Sequence, residues 1–227
     1  MKLDAIYAAR FPEEDRATKD AIWRVLCQHF LQRYVGDSDV VLDLGPGFGE
    51  FLRHIRCARR IAVDIESLSG RVFPEGTEEV LVASDELSSK VTPGSVDVVF
   101  CSNFFEHLPD TRTFVATLWE IRSVLRPGGC LLILQPNIRF VGGAYWDFLD
   151  HHLPLTDRTL IEACESLQFQ ILEVIPRFLP YTTRSRFPQA PWLVRAYLAV
   201  RPAWWLFGQQ TWMVARKSEE TPDQSIR

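Results

Sequence analysis

One short segment of the chain combines a carboxylate with three glycines, an arrangement suited to holding a small ligand. Asp43 ends an apolar run, and glycines follow it at three alternate positions: Gly45, Gly47 and Gly49. Glycine permits positive φ angles and lets a ligand approach the backbone closely. A dinucleotide-binding turn would have glycine where this chain has Glu50. An acid at position 43 would repel a pyrophosphate but can accept hydrogen bonds from an ammonium group, so the pattern predicts a zwitterionic amino-acid ligand.

Titratable and aromatic side chains are concentrated further along the chain, where they could bind a substrate and take its proton. Three histidines are candidate catalytic bases: His107, His151 and His152. Histidine titrates near neutral pH, so each could act as a base, although each could equally hold a loop. Three residues that precede the later histidines are candidate substrate contacts: Tyr145, Trp146 and Asp147. The alternative for this stretch is an aromatic helix packed on a sheet, with the histidines on its rim.

Short apolar runs rich in β-branched residues alternate with helical stretches along most of the chain. Strands are predicted at 39–44, 60–65, 79–83, 96–101, 130–135, 169–175 and 210–216. Helices are predicted at 12–35, 48–57, 111–125 and 157–167, the last capped by Thr156. This alternation predicts an α/β fold, a doubly wound sheet of about seven mostly parallel strands with helices on both faces. Such sheets bind ligands at the carboxyl ends of their strands, where Asp43 is expected.

Length and composition favour a single domain over residues 1–217. Within that domain we expect a helical cap at 1–35 and a helical insertion at 176–208, where prolines, tryptophans and arginines interrupt the alternation. The polar tail at 218–227 is expected to be disordered. The chain has a net charge of −4, yet Val174 to Ser218 holds seven basic residues and no acidic one.

Several motifs in one order resemble the class I S-adenosylmethionine (SAM)-dependent methyltransferases, and together they cover nearly all of residues 36–175. The glycine turn is the first of them. Beyond the turn, the motifs are Ala62-Val63-Asp64-Ile65, then Ser84-Asp85, then the run from Asp97 to Leu108 containing Phe105-Glu106-His107-Leu108, and Leu125-Arg126-Pro127-Gly128-Gly129. The resemblance implies a Rossmann-like sheet and SAM as the cofactor.

The resemblance also implies a role for each cofactor-binding residue. Asp64 would accept the ribose hydroxyls, and Ile65 would pack on the adenine. Asp85 would accept the adenine amino group, with Ser84 beside it. Two residues would lie next to the methionine part, together with the glycine turn: Ser102 and Asn103. Neither a metal nor a covalent intermediate is required for methyl transfer from a sulfonium.

A looser resemblance connects the stretch around Tyr145, and the segment containing Arg177 and Tyr181, with bacterial methyltransferases associated with polysaccharide biosynthesis. It implies a small-molecule acceptor, a hydroxyl of a sugar or glycan precursor, and makes Arg177 and Tyr181 candidate substrate contacts. The basic, tryptophan-bearing segment near the C-terminus fits an anionic acceptor. That segment could be a substrate lid, a homodimer face or a peripheral membrane contact.

Other classes of function are left open or disfavoured by the sequence. An NAD(P)-dependent oxidoreductase is disfavoured by Glu50 and Asp43, and a non-catalytic SAM-binding module stays possible because no acceptor residue is unambiguous. A nucleic-acid partner is not expected, because residues 1–173 are acidic overall. Scattered cysteines and the lack of an apolar leader or spanning stretch predict a cytoplasmic location.

Overall fold

The computed structural model describes residues 13–181 and 190–219, and its centre is a sheet. Within the described residues the sheet has seven strands: β1 (Val40–Leu44), β2 (Arg59–Asp64), β3 (Glu78–Leu81), β4 (Val96–Ser102), β5 (Leu125–Pro136), β6 (Phe169–Ile175) and β7 (Gln210–Lys217). They lie side by side in the order β3-β2-β1-β4-β5-β7-β6. Only β7 runs antiparallel to its neighbours, β5 and β6. The predicted doubly wound, mostly parallel sheet is confirmed.

Helices connect the strands and cover both faces of the sheet. They are α1 (Glu13–His29), α2 (Glu50–His54), α3 (Thr111–Val124), α4 (Ile138–Val141), α5 (Asp157–Ser166), α6 (Pro191–Ala199) and α7 (Arg201–Phe207). Single turns of 3-10 helix occur at Leu31–Tyr34, Ser84–Ser89, Phe105–His107 and Gly142–Asp147. The predicted cap of α5 is confirmed, since Thr156 and Thr159 form a capping box.

The helix predicted at 48–57 is shorter than expected, and the backbone explains both ends. Gly49 caps α2 in the left-handed conformation, with φ of 84°, so the helix begins only at Glu50. At the other end Ile55 is extended, and the chain leaves the helix to reach β2. The short helix keeps the glycine turn directly beneath the cleft described below.

The alternation of side chains along each strand divides the core into two clusters, one on each face of the sheet. Strand residues on one face pack against α3 and α5; among them are Leu42, Leu44, Val99, Cys101 and Ile133. Strand residues on the other face pack against α1, α2 and α7; among them are Val41, Ala62, Phe100, Leu132 and Trp212. Burial on both faces explains why the central strands read as nearly continuous apolar runs.

The segment predicted as a helical insertion contains α6 and α7 where it is described. Trp204 of α7 is buried against Phe30 and Phe178, so these helices pack on the same face as α1. Residues 182–189, the first part of the predicted N-terminal cap and the predicted tail from residue 220 onward lie outside the described residues. No helix within 13–181 and 190–219 combines the length and the apolarity that crossing a membrane requires.

Candidate cofactor and acceptor cleft

The turn between β1 and α2 has the open backbone expected of a ligand-binding turn. Gly45 and Gly49 have φ angles of 71° and 84°. A Cβ added at Gly45 would lie 2.5 Å from the ring of Phe104, and one at Gly49 would lie 2.7 Å from the carbonyl oxygen of Val72. Both the backbone conformation and the available space therefore require glycine at these positions.

Asp43 lies at the end of β1 with only 2% of its surface exposed. Burial, reinforced by the nearby charges of Glu50 and Asp64, raises the pKa of Asp43 well above its ordinary value. Glu50 is also buried and pairs with Lys19 of α1 at 3.2 Å. Two buried carboxyl groups beside the turn suit a cationic ligand and oppose a pyrophosphate.

Asp64 ends β2 on the same edge of the sheet, and its carboxylate is fixed by two donors. The Arg71 guanidinium donates to Oδ2 at 2.6 Å, and the backbone N–H of Glu66 donates to Oδ1 at 3.0 Å. The neighbouring residue Ile65 is 71% exposed, so its side chain is accessible for packing against an aromatic ring of a ligand. These two donors hold the Asp64 carboxylate at the wall of the cleft.

Ser84 and Asp85 follow β3 and differ in where their side chains point. The Ser84 hydroxyl lies 2.7 Å from the Thr117 hydroxyl, in a buried contact with α3. Asp85 is exposed on the cleft. Of this predicted pair, only Asp85 offers its side-chain oxygens to a ligand from an exposed position.

A cleft of about 1930 Å³ runs along the carboxyl edge of the sheet, from the glycine turn to α6 and α7. Pockets for single small ligands are typically about 300–1,000 Å³, so this volume leaves room for a cofactor and an acceptor together. Every predicted site residue lines the cleft except four: Gly49, Tyr145, Trp146 and Asp147. The cofactor-binding prediction and the histidine prediction therefore fall in one continuous space.

The predicted substrate contacts at 145–147 lie away from the cleft. The Gly142–Asp147 turn directs Tyr145 into the core, where the residue is fully buried and its hydroxyl donates to the carbonyl of Leu153. Trp146 and Asp147 are exposed and do not line the cleft. The same stretch reaches the cleft further along the chain, through Phe148, Asp150 and the two histidines that follow.

The rings of His107 and His151 pack edge to face, with centroids 5.2 Å apart. These two histidines, with Phe148 and His152, line the part of the cleft that is called the acceptor end below. The Nδ1 atom of His107 lies 2.9 Å from the carbonyl of Asp150, and that of His151 lies 2.9 Å from the carbonyl of Tyr145. A proton on each Nδ1 satisfies both carbonyls and leaves the lone pair of each ring on Nε2. His152 is exposed in the same loop.

Glu106 is the residue at this end that the sequence prediction left without a role, although it stands in the quoted motif. Its side chain is 1% exposed and accepts a hydrogen bond from Gln135 at 2.9 Å. Burial raises the pKa of Glu106, and the neighbouring His107 offsets part of that rise. The Glu106 carbonyl accepts the backbone N–H groups of His152 and Leu153, which ties the two loops together.

Arg177 lines the cleft, but its guanidinium is already engaged. It donates to the carbonyls of Gly208 at 2.9 Å and Leu206 at 3.2 Å, at the end of α7, and lies over the ring of Phe140. Arginine at a helix C-terminus satisfies carbonyls that lack partners within the helix. The predicted substrate contact is therefore an anchor for α7, whereas Tyr181 remains at the cleft wall beside Phe148.

Helix α1 contributes cleft residues that the sequence pattern did not identify. Its Arg16, Lys19 and Trp23 line the cleft above the glycine turn, and Arg16 lies over the ring of Phe48 at 4.2 Å. The helical spacing predicted α1, but no local signal in the sequence indicates which side of the sheet it covers.

The strand order, the acidic glycine turn and the carboxylates at the strand ends together define the fold of class I SAM-dependent methyltransferases. A chain from the complex between the Haloferax volcanii Trm112 methyltransferase activator and a methyltransferase has this fold, with a TM-score of 0.69, 19% identity and 97% coverage of both chains. A SAM-dependent methyltransferase from Archaeoglobus fulgidus has a TM-score of 0.60 and 22% identity, covering 89% of this chain and 97% of that one.

Sequence comparison agrees with this class. Residues 42–133 match the model of the methyltransferase domain family. A protein of Aspergillus luteorubrus named "Probable methyltransferase ltbC" is 30% identical over 126 residues, which is 45% of this chain. The alignment spans 41% of the length of that relative. The matches indicate SAM as the cofactor and support a SAM-dependent methyltransferase.

Proposed function

We propose that this protein transfers a methyl group from SAM to a hydroxyl of a small-molecule acceptor, a sugar or glycan precursor. The observation that carries the proposal is the continuity of the cleft. Carboxylates suited to SAM and histidines able to take a proton line the same cleft. Placing donor and acceptor in one cleft is the main contribution a protein can make to an in-line displacement.

The chemistry of the residues at the cofactor end fits SAM, whose polar groups there are mostly cationic or hydrogen-bond donors. Asp43 would accept the ammonium group, Asp64 the ribose hydroxyls and Asp85 the adenine amino group. Ile65 would cover one face of the adenine. Nicotinamide dinucleotides fit less well, because their pyrophosphate would meet the buried carboxyls of Asp43 and Glu50.

SAM, when bound, supplies an electrophilic methyl carbon on a sulfonium. The acceptor oxygen forms the new bond to that carbon, the carbon–sulfur bond breaks with its electron pair going to sulfur, and the hydroxyl proton must leave. In this chain the proton would pass to one of the three cleft histidines: His107, His151 or His152. A positioned histidine base contributes about 10²–10⁴-fold to such a step.

The exposed apolar residues of α6 and α7 lie near the mouth of the acceptor end. Trp192, Trp205 and Leu206 are 69%, 72% and 58% exposed, and Arg195 and Arg201 are exposed beside them. This combination suits a substrate lid, a homodimer face or contact with an anionic membrane surface in the cytoplasm. Cosedimentation with anionic liposomes at low salt tests the membrane role, and its absence would remove that role.

Methyl transfer itself is tested with methyl-labelled SAM and a panel of nucleotide-linked sugars. We expect label in a sugar product with the native chain and none with Asp64→Ala. Asp37→Ala is a matched control, because Asp37 is an exposed carboxylate that pairs with the exposed Arg56 at 3.3 Å. SAM binding without transfer to any hydroxyl acceptor would contradict the proposal and favour a non-catalytic SAM-binding module.

A further inference from the structure

Among the described residues, three metal-ligating side chains converge at the acceptor end of the cleft. One ligand atom from each of Glu106, His107 and His151 lies within 4.8 Å of the other two. Glu106 and His107 belong to the turn after β4, and His151 belongs to the loop that follows β5 and precedes α5. The set is two imidazoles and one carboxylate, a combination that binds first-row divalent metals and leaves positions open for other ligands.

A second layer of contacts orients each of these ligands. Metal-binding histidines almost always donate their other ring nitrogen to a carbonyl or carboxylate. His107 meets this condition at the carbonyl of Asp150, whose carboxylate is also 3.3 Å away, and His151 meets it at the carbonyl of Tyr145. Gln135 fixes the carboxylate of Glu106 in the same way.

The stretch from Tyr145 to His152 supports the position of His151 in this cluster. The rings of Tyr145 and Phe148 pack against His151 at 4.7 and 4.9 Å between centroids. The two N–H groups that bind the Glu106 carbonyl hold this loop against the turn after β4. Packing and backbone bonds therefore restrict the His151 ring to one side of the cleft.

We propose that Glu106, His107 and His151 bind a divalent transition-metal ion, with its open positions toward the cleft. The ion would coordinate an oxygen of the acceptor, and that part rests on the proposed methyl transfer. Coordination would lower the pKa of a bound hydroxyl and so favour loss of its proton.

The test is direct metal binding by tag-free protein freed of metal with a chelator. Co²⁺ is titrated and followed by its visible absorption, and Zn²⁺ is titrated by calorimetry. We expect saturation at one ion per chain, with binding lost in His151→Asn and in Glu106→Gln. The control His29→Asn removes an exposed imidazole of α1 and is expected to bind as the native chain does.

A milder substitution distinguishes a specific metal site from non-specific metal binding at the protein surface. Gln135→Met removes only the hydrogen bond to Glu106, so we expect metal affinity to fall about 10–100-fold without being lost. No saturable binding by the native chain, or equal binding by native and His151→Asn proteins, would overturn the proposal. SAM titrations of the same samples keep the two proposals apart, since the cofactor residues are unchanged in every variant.

Discussion

The two ends of the cleft are built differently. The cofactor end is formed largely by short segments at the ends of β1, β2 and β3, where the conformation of Gly45 and Gly49 and the burial of Asp43 shape the site. The acceptor end depends on contacts between distant segments, such as the Glu106 carbonyl with the N–H of His152. The cofactor end can be recognised in a sequence because its residues lie in short motifs. The acceptor end can be recognised only in the folded structure, because its residues are far apart in sequence.

The largest expected effect is on kcat, and it distinguishes the function of the acceptor end from that of the cofactor end. His107→Asn should lower kcat by about 10²–10⁴-fold, whether the imidazole accepts a proton or binds a metal, and leave the SAM dissociation constant unchanged. Single-turnover kinetics and calorimetry measure the two quantities. His29→Asn serves as the control, and an equal loss of SAM affinity in His107→Asn would show that the ends are not separable.

The next effect concerns the charge at the cofactor end. Asp43→Asn should weaken SAM binding by about 1.5–3 kcal/mol, the contribution of a hydrogen bond to a charged group. Because burial raises the pKa of Asp43 and SAM would bind its ionised form, native affinity should rise with pH between the ordinary and the raised pKa. SAM binding within that pH range should release protons. Calorimetry in buffers of different ionisation enthalpy detects this release.

The raised pKa of Asp43 also predicts how the stability of the cofactor-free protein depends on pH. A raised pKa in the folded state means that folding favours the protonated carboxyl. The contribution of the Asp43 carboxyl to the free energy of unfolding is greatest when the pH is below its ordinary pKa. This contribution is lost as the pH rises through the raised pKa of the folded state. Asp43→Asn should remove this decline from urea-unfolding free energies, and an unchanged pH dependence would contradict the assignment.

A smaller effect tests the backbone of the glycine turn. Gly49→Ala should lower the free energy of unfolding by about 1–3 kcal/mol, since it combines a left-handed φ with a Cβ pressed against the Val72 carbonyl. Gly70→Ala is the matched control, with φ of 80° and nothing within 4 Å of the added Cβ. Equal losses in urea denaturation would mean that contact with Val72 is irrelevant.

The smallest effect concerns the acceptor end. Arg177→Met removes two hydrogen bonds to the end of α7, so the free energy of unfolding should fall by about 1 kcal/mol or slightly more. SAM affinity should not change. Arg195→Met, at an exposed position of α6, is the control for loss of charge. A large loss of acceptor affinity without loss of stability would restore Arg177 as a substrate contact.

Much of the fold was predictable because strand burial on both faces leaves a clear apolar pattern, and the capping box of α5 is local. The glycine turn could be located between β1 and α2 because its glycines and Asp43 are neighbours in sequence. Tyr145 and Trp146 were misplaced because nothing in their spacing shows which side of a 3-10 turn faces inward. Glu106 gained its role only from Gln135 and the loop before α5, which no local pattern reveals.

SAM binding is measured by calorimetric titration of the native chain and of Asp64→Ala with SAM, its demethylated product and NADH. Asp64 is held at the end of β2 by Arg71 and the Glu66 N–H, ready for a ribose diol. We expect SAM and its product to bind the native chain, Asp64→Ala to lose both, and NADH not to bind. Failure of SAM to bind, with binding of NADH in its place, would contradict this expectation.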